Sequence, residues 1–432
     1  MACHHSTAGL HIAYIYGINC LKKRYLIDFW HSVLIVQFLM MLIIGYPFMG
    51  SYKTLLVRPH IKLSFDMYYV DWAYFINLTG FVFVFLAAYI YSKGIRINFI
   101  DNIIEFLYKK INYALTIISD TKFFSKIFAS CLIFTLFVII YLIIEGNRFF
   151  DLRGIALLNG QIRWVANLFF VCILPTFIVL NLYLILTKQN NNIIILLLLF
   201  GILELLVFGA RGEIISSIVV CISVYLIKNK LTLRIFYKSV STLLVLSVLF
   251  FSLEFVRESY RRVPDKNMVN PIVKLYYGNN LTDIRDCALI LEHWNGEYLY
   301  GKNILAGLMF FVPREYSEYR NTWATSRYTN RLVGASDAHA GYRMGLFGEM
   351  FLTFGIIGVG IWGFLWGYVI KRLDYIVKAN NENKNFIKII FSAYLVYELL
   401  FGLMFHLSLG WHFWIKLIVF LSIIFLYERR II

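Results

Sequence analysis

The chain has 432 residues, of which 60% are hydrophobic, 18% aromatic and only 15% charged. These values exclude an ordinary water-soluble domain and are typical of a protein that crosses a membrane several times. The formal net charge of +16 would suit a nucleic-acid partner. The basic residues are distributed in a way that favours a different explanation, so we expect no nucleic acid among the partners.

Long apolar segments follow one another along most of the chain. A helix needs about 20 mostly apolar residues to cross a bilayer. By this measure the sequence predicts an all-α polytopic integral membrane protein with about ten transmembrane helices. The predicted spans cover residues 30–48, 71–92, 125–145, 164–187, 192–208, 213–228, 238–256, 345–370, 388–408 and 411–428.

Lysine and arginine gather in alternate loops between these spans, and short loops rich in them stay on the cytoplasmic side. Both termini are therefore predicted to be cytoplasmic. The chain would divide into a first membrane bundle, residues 1–256, a large loop outside the cytoplasm, residues 257–343, and a second bundle, residues 344–432. The basic residues that set this orientation are Lys22, Lys23, Arg24, Lys93, Arg96, Lys109, Lys110, Lys228, Lys230, Arg234, Lys238, Lys371, Arg372, Lys378, Lys384, Arg429 and Arg430.

The large loop is itself basic, and arginine outnumbers lysine in it. Arginine binds phosphate and carboxylate groups through two parallel hydrogen bonds. This composition predicts an anionic ligand on the outer face, with a solvated basic loop as the alternative. The arginines are Arg257, Arg261, Arg262, Arg285, Arg314, Arg320, Arg327, Arg331 and Arg343.

Part of this loop has helical spacing of apolar residues, at Ile284, Cys287, Ala288, Leu291 and Trp294. The pattern predicts a short helix with its apolar stripe on the top of the bundle or at the lipid interface. Arg285 and Glu292 would then lie on one exposed flank, and Asp286 and His293 on another. Capping of the helix is the alternative role for its aspartates.

Two further segments bring polar groups to the same outer side. Arg211 lies between glycines in the hairpin that joins the fifth and sixth predicted spans, and the alternative role for it is snorkelling to the interface. His339, which can accept a proton near neutral pH, precedes Arg343 and Glu349 at the start of the eighth predicted span. The glycines of that span are predicted to serve close helix packing. They are Gly345, Gly348, Gly355, Gly358, Gly360, Gly363 and Gly367.

Several ionisable residues fall inside predicted spans, where such groups are functional candidates. They would suit a proton or ion pathway, which keeps a transporter as a rival function. Their small number favours pairing around an outer-face site instead. They are Glu204, Glu254, Glu398, His406 and Lys416.

The sequence has no cluster of His and Cys with metal-ligand spacing, no DxD pair in the outer loop and no nucleotide-binding loop. We therefore expect no metal site and no cofactor, and soluble nucleotide substrates are disfavoured. The segment 314–331 is rich in Tyr, Trp, Asn, Thr and Ser, which suit contact with sugars but also form interfacial belts.

Four short motifs occur in order in the second half of the chain. They are Gly209-Ala-Arg211-Gly; Arg285 followed by Gly301; Phe311-Val-Pro313-Arg314; and Gly348-Glu349 followed by Phe354-Gly355 and Gly358. In these motifs the chain resembles the Wzy-type polymerases of lipid-linked oligosaccharide repeat units, which include the O-antigen polymerases and the enterobacterial common antigen polymerase.

This resemblance implies a metal-independent membrane glycosyltransferase of the bacterial inner membrane, with a GT-C or O-antigen ligase-like fold and a periplasmic loop containing short helices. It would move a growing glycan from undecaprenyl pyrophosphate to the non-reducing end of a new lipid-linked repeat, as in lipopolysaccharide biosynthesis. A Wzz-type chain-length regulator would be a partner. The alternatives are an O-antigen ligase and, in another class, a flippase or transporter of lipid-linked oligosaccharides.

For this reaction the sequence predicts two groups of residues. Arg211 and Arg285 would stabilise the diphosphate, and His339 would be the general base, with Glu349 or Asp286 as substitutes. The further candidates for binding the diphosphate or the glycan are Arg257, Arg261, Asp286, Arg314 and Arg343.

Overall fold

The computed structural model describes most of the chain as helices. The described residues are 28–38, 66–144, 168–187, 191–208, 211–228, 241, 283–309, 312, 316–335, 342, 344–405 and 411–429. All regular structure within these ranges is helical, which agrees with the predicted fold class. The predicted ligase-like fold stays a prediction.

The helices are numbered here in chain order. They are α1 Phe29–Phe38, α2 Met67–Ser92, α3 Asn98–Ile118, α4 Thr121–Ile144, α5 Leu174–Leu186, α6 Asn192–Phe208, α7 Arg211–Lys228, α8 Asp283–His293, α9 Lys302–Leu308, α10 Glu318–Trp323, α11 Thr325–Val333, α12 Gly345–Ala379, α13 Phe386–Phe405 and α14 Trp411–Glu428. A π-helical segment, Leu168–Ile173, directly precedes α5.

Three of the described helices are long and apolar enough to cross a membrane, namely Tyr68–Ser92, Thr121–Ile144 and Gly345–Ala379. They correspond to the predicted spans 71–92, 125–145 and 345–370, and they support a membrane protein. The predicted span 238–256 lies outside the described residues apart from Ser241. The total of about ten spans and the orientation of the termini stay predictions.

The chain folds as two compact units. The first contains residues 1–104, 267–375 and 397–413, and the second contains residues 105–266, 376–396 and 414–432. The helices of the large loop therefore belong to the same unit as α2 and most of α12. The three predicted segments, 1–256, 257–343 and 344–432, stay predictions.

In the first unit, α2 and α12 approach each other closely because glycines face the contact. A Cβ atom added at Gly363 would lie 2.4 Å from the carbonyl oxygen of Gly80. A Cβ atom added at Gly367 would lie 2.3 Å from the carbonyl oxygen of Val84. Small residues allow this kind of approach between membrane helices. The predicted packing role is confirmed for these two glycines of α12.

The α2–α12 contact continues in large aromatic side chains. The ring centroids of Phe81 and Phe347 are 5.4 Å apart, and Trp366 lies 6.0 Å from Phe81. All three side chains are buried. Close backbone approach and interlocked rings together fix the position of α12 relative to α2, and α12 carries part of the site described below.

In the second unit, α4, α5 and α6 pack against one another. Gly201 of α6 lies where the three helices meet, since an added Cβ would be 3.3 Å from the Phe128 ring and 3.5 Å from Ile178. The rings of Phe128 and Phe177 are stacked with centroids 5.6 Å apart. Asn181 of α5 is buried and donates to the carbonyl oxygen of Ile194 at 2.9 Å.

Candidate functional site

The loop helix α8 is enclosed by protein. It packs against α2 and α11, and its predicted apolar stripe at Ile284, Cys287 and Leu291 is buried. The predicted helix is thus confirmed, together with the apolar face that it buries. Its neighbours make it part of the core of the first unit and place Arg285 and Asp286 inside the protein.

The predicted exposure of two of these residues is wrong. Arg285 and Asp286 are only 8% and 6% exposed, whereas the spacing predicted an exposed flank for each. The period of a sequence pattern gives the apolar face of a helix but does not show how many neighbours surround it. Buried charges are tolerated when they are paired, and these two residues pair with each other.

The Arg285–Asp286 pair has well-defined geometry. Oδ1 of Asp286 accepts hydrogen bonds from Nε of Arg285 at 2.9 Å and from Nη2 at 2.7 Å. Successive residues of a helix do not normally face each other, so the arginine side chain must fold back along α8 to reach this carboxylate. The carboxylate therefore fixes the orientation of the guanidinium group.

The start of α12 contacts α8 beside this pair. A Cβ atom added at Gly348 would lie 3.0 Å from Sγ of Cys287, so the two backbones are close at neighbours of Asp286 and Glu349. Glu349 is itself only 4% exposed. The contact brings two separate sequence motifs, one in the loop and one in a membrane span, into the same part of the first unit.

Helix α12 is interrupted at Gly355. This glycine has φ of 68° and ψ of −158°, a conformation that only glycine adopts readily. An interruption deprives the preceding carbonyl groups of their usual helical donors. Here the loop supplies replacements, because Leu299 N donates to Leu352 O and Tyr300 N donates to Thr353 O, each at 2.9 Å.

Gly355 was predicted to serve helix packing, and the structure gives it a second role as the point where the helix breaks. Its missing side chain also makes room for the loop, since an added Cβ would be 3.1 Å from the ring of Tyr298. The turn that approaches the break contains Gly301, with φ of 85°, directly before α9. The loop and the broken helix are thus fitted to each other through glycines.

A buried hydrogen-bond chain reinforces this junction. Asn303 in α9 is 1% exposed, and its Nδ2 donates to Oγ1 of Thr353 at 2.9 Å. The Thr353 hydroxyl in turn donates to the carbonyl oxygen of Glu349 at 2.7 Å. These two hydrogen bonds link the first turn of α9 to the turn of α12 that carries Glu349.

Aromatic side chains cover the junction. Trp294 lies 5.2 Å from Tyr298 and 5.4 Å from Phe351, measured between ring centroids. Trp72 of α2 extends the group, at 6.2 Å from Phe351. Aromatic pairs at these distances contribute beyond their buried area. This group connects the loop, α2 and α12 in one apolar cluster.

A second aromatic group lies on α10 and α11. The Trp323 and Tyr328 rings are stacked with centroids 6.1 Å apart, and Nζ of Lys302 is 4.2 Å from the Trp323 centroid. Burial raises the pKa of the Tyr328 hydroxyl, the nearby Glu297 carboxylate raises it further, and Arg331 opposes them. Partly exposed rings beside ionic groups are suited to binding a polar molecule with apolar faces.

Another loop arginine has a structural role. Burial lowers the pKa of Arg320, and its Nη1 donates to the carbonyl oxygen of Val312. Its backbone amide is the donor to the side chain of Ser317, which caps α10 at 3.1 Å. Arg320 thus holds the chain before α10 and helps to define where that helix begins.

The structure does not describe the side chains of the remaining predicted site residues. Arg211 is the first residue of α7, which belongs to the second unit, and the structure describes its backbone but not its side chain. Arg257, Arg261, Arg314, His339 and Arg343 lie outside the described residues. The structure therefore brings Arg285, Asp286 and Glu349 into one part of the first unit, and the roles of all nine predicted site residues stay predictions.

Sequence reasoning missed Asn303, Thr353 and Tyr298. One available signal was the asparagine directly before the apolar segment 304–312, because a polar group that is buried beside such a segment needs a hydrogen-bond partner. In the part of the chain that the structure describes, no group of three or more His, Cys, Asp or Glu residues is arranged to hold a metal ion.

No protein-family model, curated protein or solved structure matches this chain.

Replacing Gly355 by alanine is expected to destabilise the protein. An alanine in a left-handed backbone conformation costs roughly 1–2 kcal/mol, and we expect a larger loss here because the new Cβ would also meet Tyr298. Gly94→Ala is the matched control, since Gly94 has φ of 87° but nothing within 4 Å of an added Cβ. Denaturant unfolding in detergent measures both. Equal losses would contradict the fitted junction, and Tyr298→Ala should partly rescue Gly355→Ala.

Replacing Asp286 by alanine leaves the buried guanidinium of Arg285 without this carboxylate. Removing one partner of a buried pair costs about 3–5 kcal/mol, and we expect a loss of this size in the free energy of unfolding. Glu105→Ala is the control, because Glu105 pairs with Lys109 at 2.9 Å on the surface and such pairs contribute at most about 1 kcal/mol. Similar losses in both variants would refute the buried pairing.

Proposed function

We propose that this protein is a membrane glycosyltransferase that polymerises lipid-linked oligosaccharide repeat units. The reaction transfers the growing glycan from undecaprenyl pyrophosphate to the non-reducing end of a new lipid-linked repeat, on the periplasmic face of the bacterial inner membrane. A Wzz-type chain-length regulator is the proposed protein partner.

The observation that carries the proposal is the convergence of two motifs that resemble those of Wzy-type polymerases. The motif of Arg285 and Gly301 and the Glu349–Gly355 segment are separate in the chain and belong to one compact unit. Gly348 meets Cys287, next to the buried pair, and the turn at Gly301 hydrogen-bonds to the break at Gly355.

The proposed chemistry begins with attack by an acceptor hydroxyl on the anomeric carbon of the donor sugar. The bond from that carbon to the diphosphate oxygen breaks, and the oxygen keeps the electron pair. Negative charge on the leaving group therefore grows in the transition state, so donors fixed in advance near it stabilise that state most. Arg285 suits this role because Asp286 holds its guanidinium in one orientation.

The proton of the acceptor hydroxyl must go to a base. His339 remains the proposed base, because its imidazole can accept a proton near neutral pH. Glu349 is the proposed substitute, and its turn of α12 is tied to α9 through Thr353 and Asn303. Positioning of this kind matters because general bases act only within hydrogen-bond reach of the proton.

The glycan needs a surface of its own, and we assign the Trp323–Tyr328 stack to it. The apolar faces of sugar rings pack on aromatic rings, while their hydroxyls need charged or polar partners. Lys302 and Glu297 supply such groups beside the two rings. This assignment gives the segment 314–331 the sugar contact that its composition predicts.

Arg285→Lys keeps the charge but loses the forked geometry of the guanidinium. We expect the rate of polymerisation of purified lipid-linked repeat units to fall on the order of 100-fold or more, the typical effect of losing a preorganised donor. Arg429→Lys, at an exposed arginine after α14, is the control and should leave the rate unchanged.

The unfolding midpoint of each variant separates lost catalysis from lost folding. Full activity of a folded Arg285→Lys protein would contradict the role of Arg285. A wild-type product with one added glycan block on lipid A core, instead of a ladder of repeats, would indicate a ligase. Transport of the lipid-linked unit without any change in glycan length would indicate a flippase.

Exhaustive chelation is expected to leave the polymerisation rate unchanged, because arginines rather than a metal ion are proposed to stabilise the diphosphate. The measurement is the rate of ladder formation before and after treatment with a chelator, with dialysis to remove the complex. Loss of activity that a divalent cation restores would refute a metal-independent mechanism.

A further inference from the structure

A carboxyl group lies inside the helix bundle of the second unit. Glu204 of α6 is only 2% exposed, and α4, α5 and α7 all pack against α6. The glutamate is separated by one helical turn from Gly201, where α4, α5 and α6 meet. A buried carboxyl group costs free energy unless it is neutral or paired. The hydrogen bonds of Glu204 therefore indicate whether it is protonated.

The hydrogen bonds around Thr135 of α4 point to a proton on the carboxyl group. Oγ1 of Thr135 lies 2.8 Å from the carbonyl oxygen of Leu132, which can only accept. The same Oγ1 is hydrogen-bonded to Oε2 of Glu204. A hydroxyl has one proton to donate. If Thr135 donates to Leu132, then Glu204 must be the donor to Thr135.

The second carboxyl oxygen supports the same state. Within the described residues, Oε1 of Glu204 is buried and accepts no hydrogen bond. An ionised carboxylate has about four acceptor sites to satisfy, whereas the carbonyl oxygen of a neutral acid tolerates an apolar environment at lower cost. The geometry thus fits a carboxylic acid with its proton on Oε2.

Among the side chains that the structure describes on the neighbouring helices α4, α5 and α7, the lysines lie near helix ends. Helix α4 has Cys131 one turn before Thr135, and its lysines are at its start. The nearer one precedes Thr135 by about 13 Å of helix. Helix α5 has Tyr183, and α7 has Cys221 and Tyr225 in its interior. The charged residues at helix ends are Lys122, Lys126, Arg211, Glu213 and Lys228.

We propose that Glu204 is a proton-binding site, occupied at neutral pH and formed with Thr135 and the carbonyl group of Leu132. Loss of the proton would leave a buried anion, so the proton can leave only when α4 separates from α6 or when a cation takes its place. Proton occupancy is thereby linked to the packing of these helices. This inference does not depend on the proposed glycan chemistry.

The state of the group has a chemical consequence. A hydrophobic carbodiimide reacts with a protonated carboxyl group inside a membrane. The acid proton moves to one nitrogen, and the carboxyl oxygen bonds to the central carbon. The acyl group then migrates to the other nitrogen and gives a stable N-acylurea. No atom is lost, so the modified residue carries the full mass of the reagent.

Infrared difference spectroscopy between the wild-type protein and Glu204→Gln at pH 7 tests the proposal directly. We expect the wild type to show the carbonyl band of a protonated acid, with a deuterium shift, that Glu204→Gln lacks. Thr135→Val removes the acceptor and should keep the band while changing its frequency. Absence of the band in the wild type and its appearance in Thr135→Val would overturn the proposal, because Thr135 would then be stabilising an anion.

Carbodiimide labelling in proteoliposomes, read by peptide mass, gives a second measurement. Glu204 is expected to carry the adduct, and the exposed Glu382 and Glu428 are expected to stay unmodified as internal controls. Sodium ions should not slow the labelling. Protection by sodium would overturn the proposal, because it would show that the site takes a metal cation in place of the proton.

Discussion

The organisation of the first unit depends on how the broken helix α12 satisfies its backbone. In an apolar environment every peptide N–H and C=O needs a partner, and irregular backbone is tolerated only where protein or a polar cavity supplies one. The break at Gly355 creates such a need at Leu352 and Thr353, and the loop at Leu299 and Tyr300 meets it. The loop cannot leave this position without exposing two carbonyl groups and its own two amides.

This constraint explains why Arg285 and Asp286 of the loop are buried. The chain between α8 and α9 is fastened to α12, and α12 is fixed against α2 through Gly363 and Gly367. Helix α8 therefore packs against α2 and α11 rather than resting on the surface. Once α8 is enclosed, Arg285 and Asp286 must neutralise each other.

The sequence was sufficient to predict most of the described helices, but it did not predict how the residues of the site are arranged. Hydropathy and helical spacing predicted α2, α4 and α8, because those signals are local. The same local signals treated Gly355 and Gly363 alike, although one breaks a helix and the other packs one. Only the position of Tyr298 and of the loop amides distinguishes them. The burial of Arg285 and the role of Asn303 likewise depend on partners distant in sequence.

The buried pair also constrains the proposed chemistry. With Asp286 bound, Arg285 contributes directed hydrogen-bond donors but no net charge, since the two charges cancel. A diphosphate carries several negative charges, and one neutral pair cannot attract it from water. The net positive charge of the proposed site must therefore come from other arginines of the chain. In the proposed mechanism Arg285 therefore orients the leaving group, and the attraction stays a predicted role of other arginines. Orientation requires a rigid, buried side chain, whereas attraction acts over a distance and suits exposed ones. The two tasks thus favour different residues.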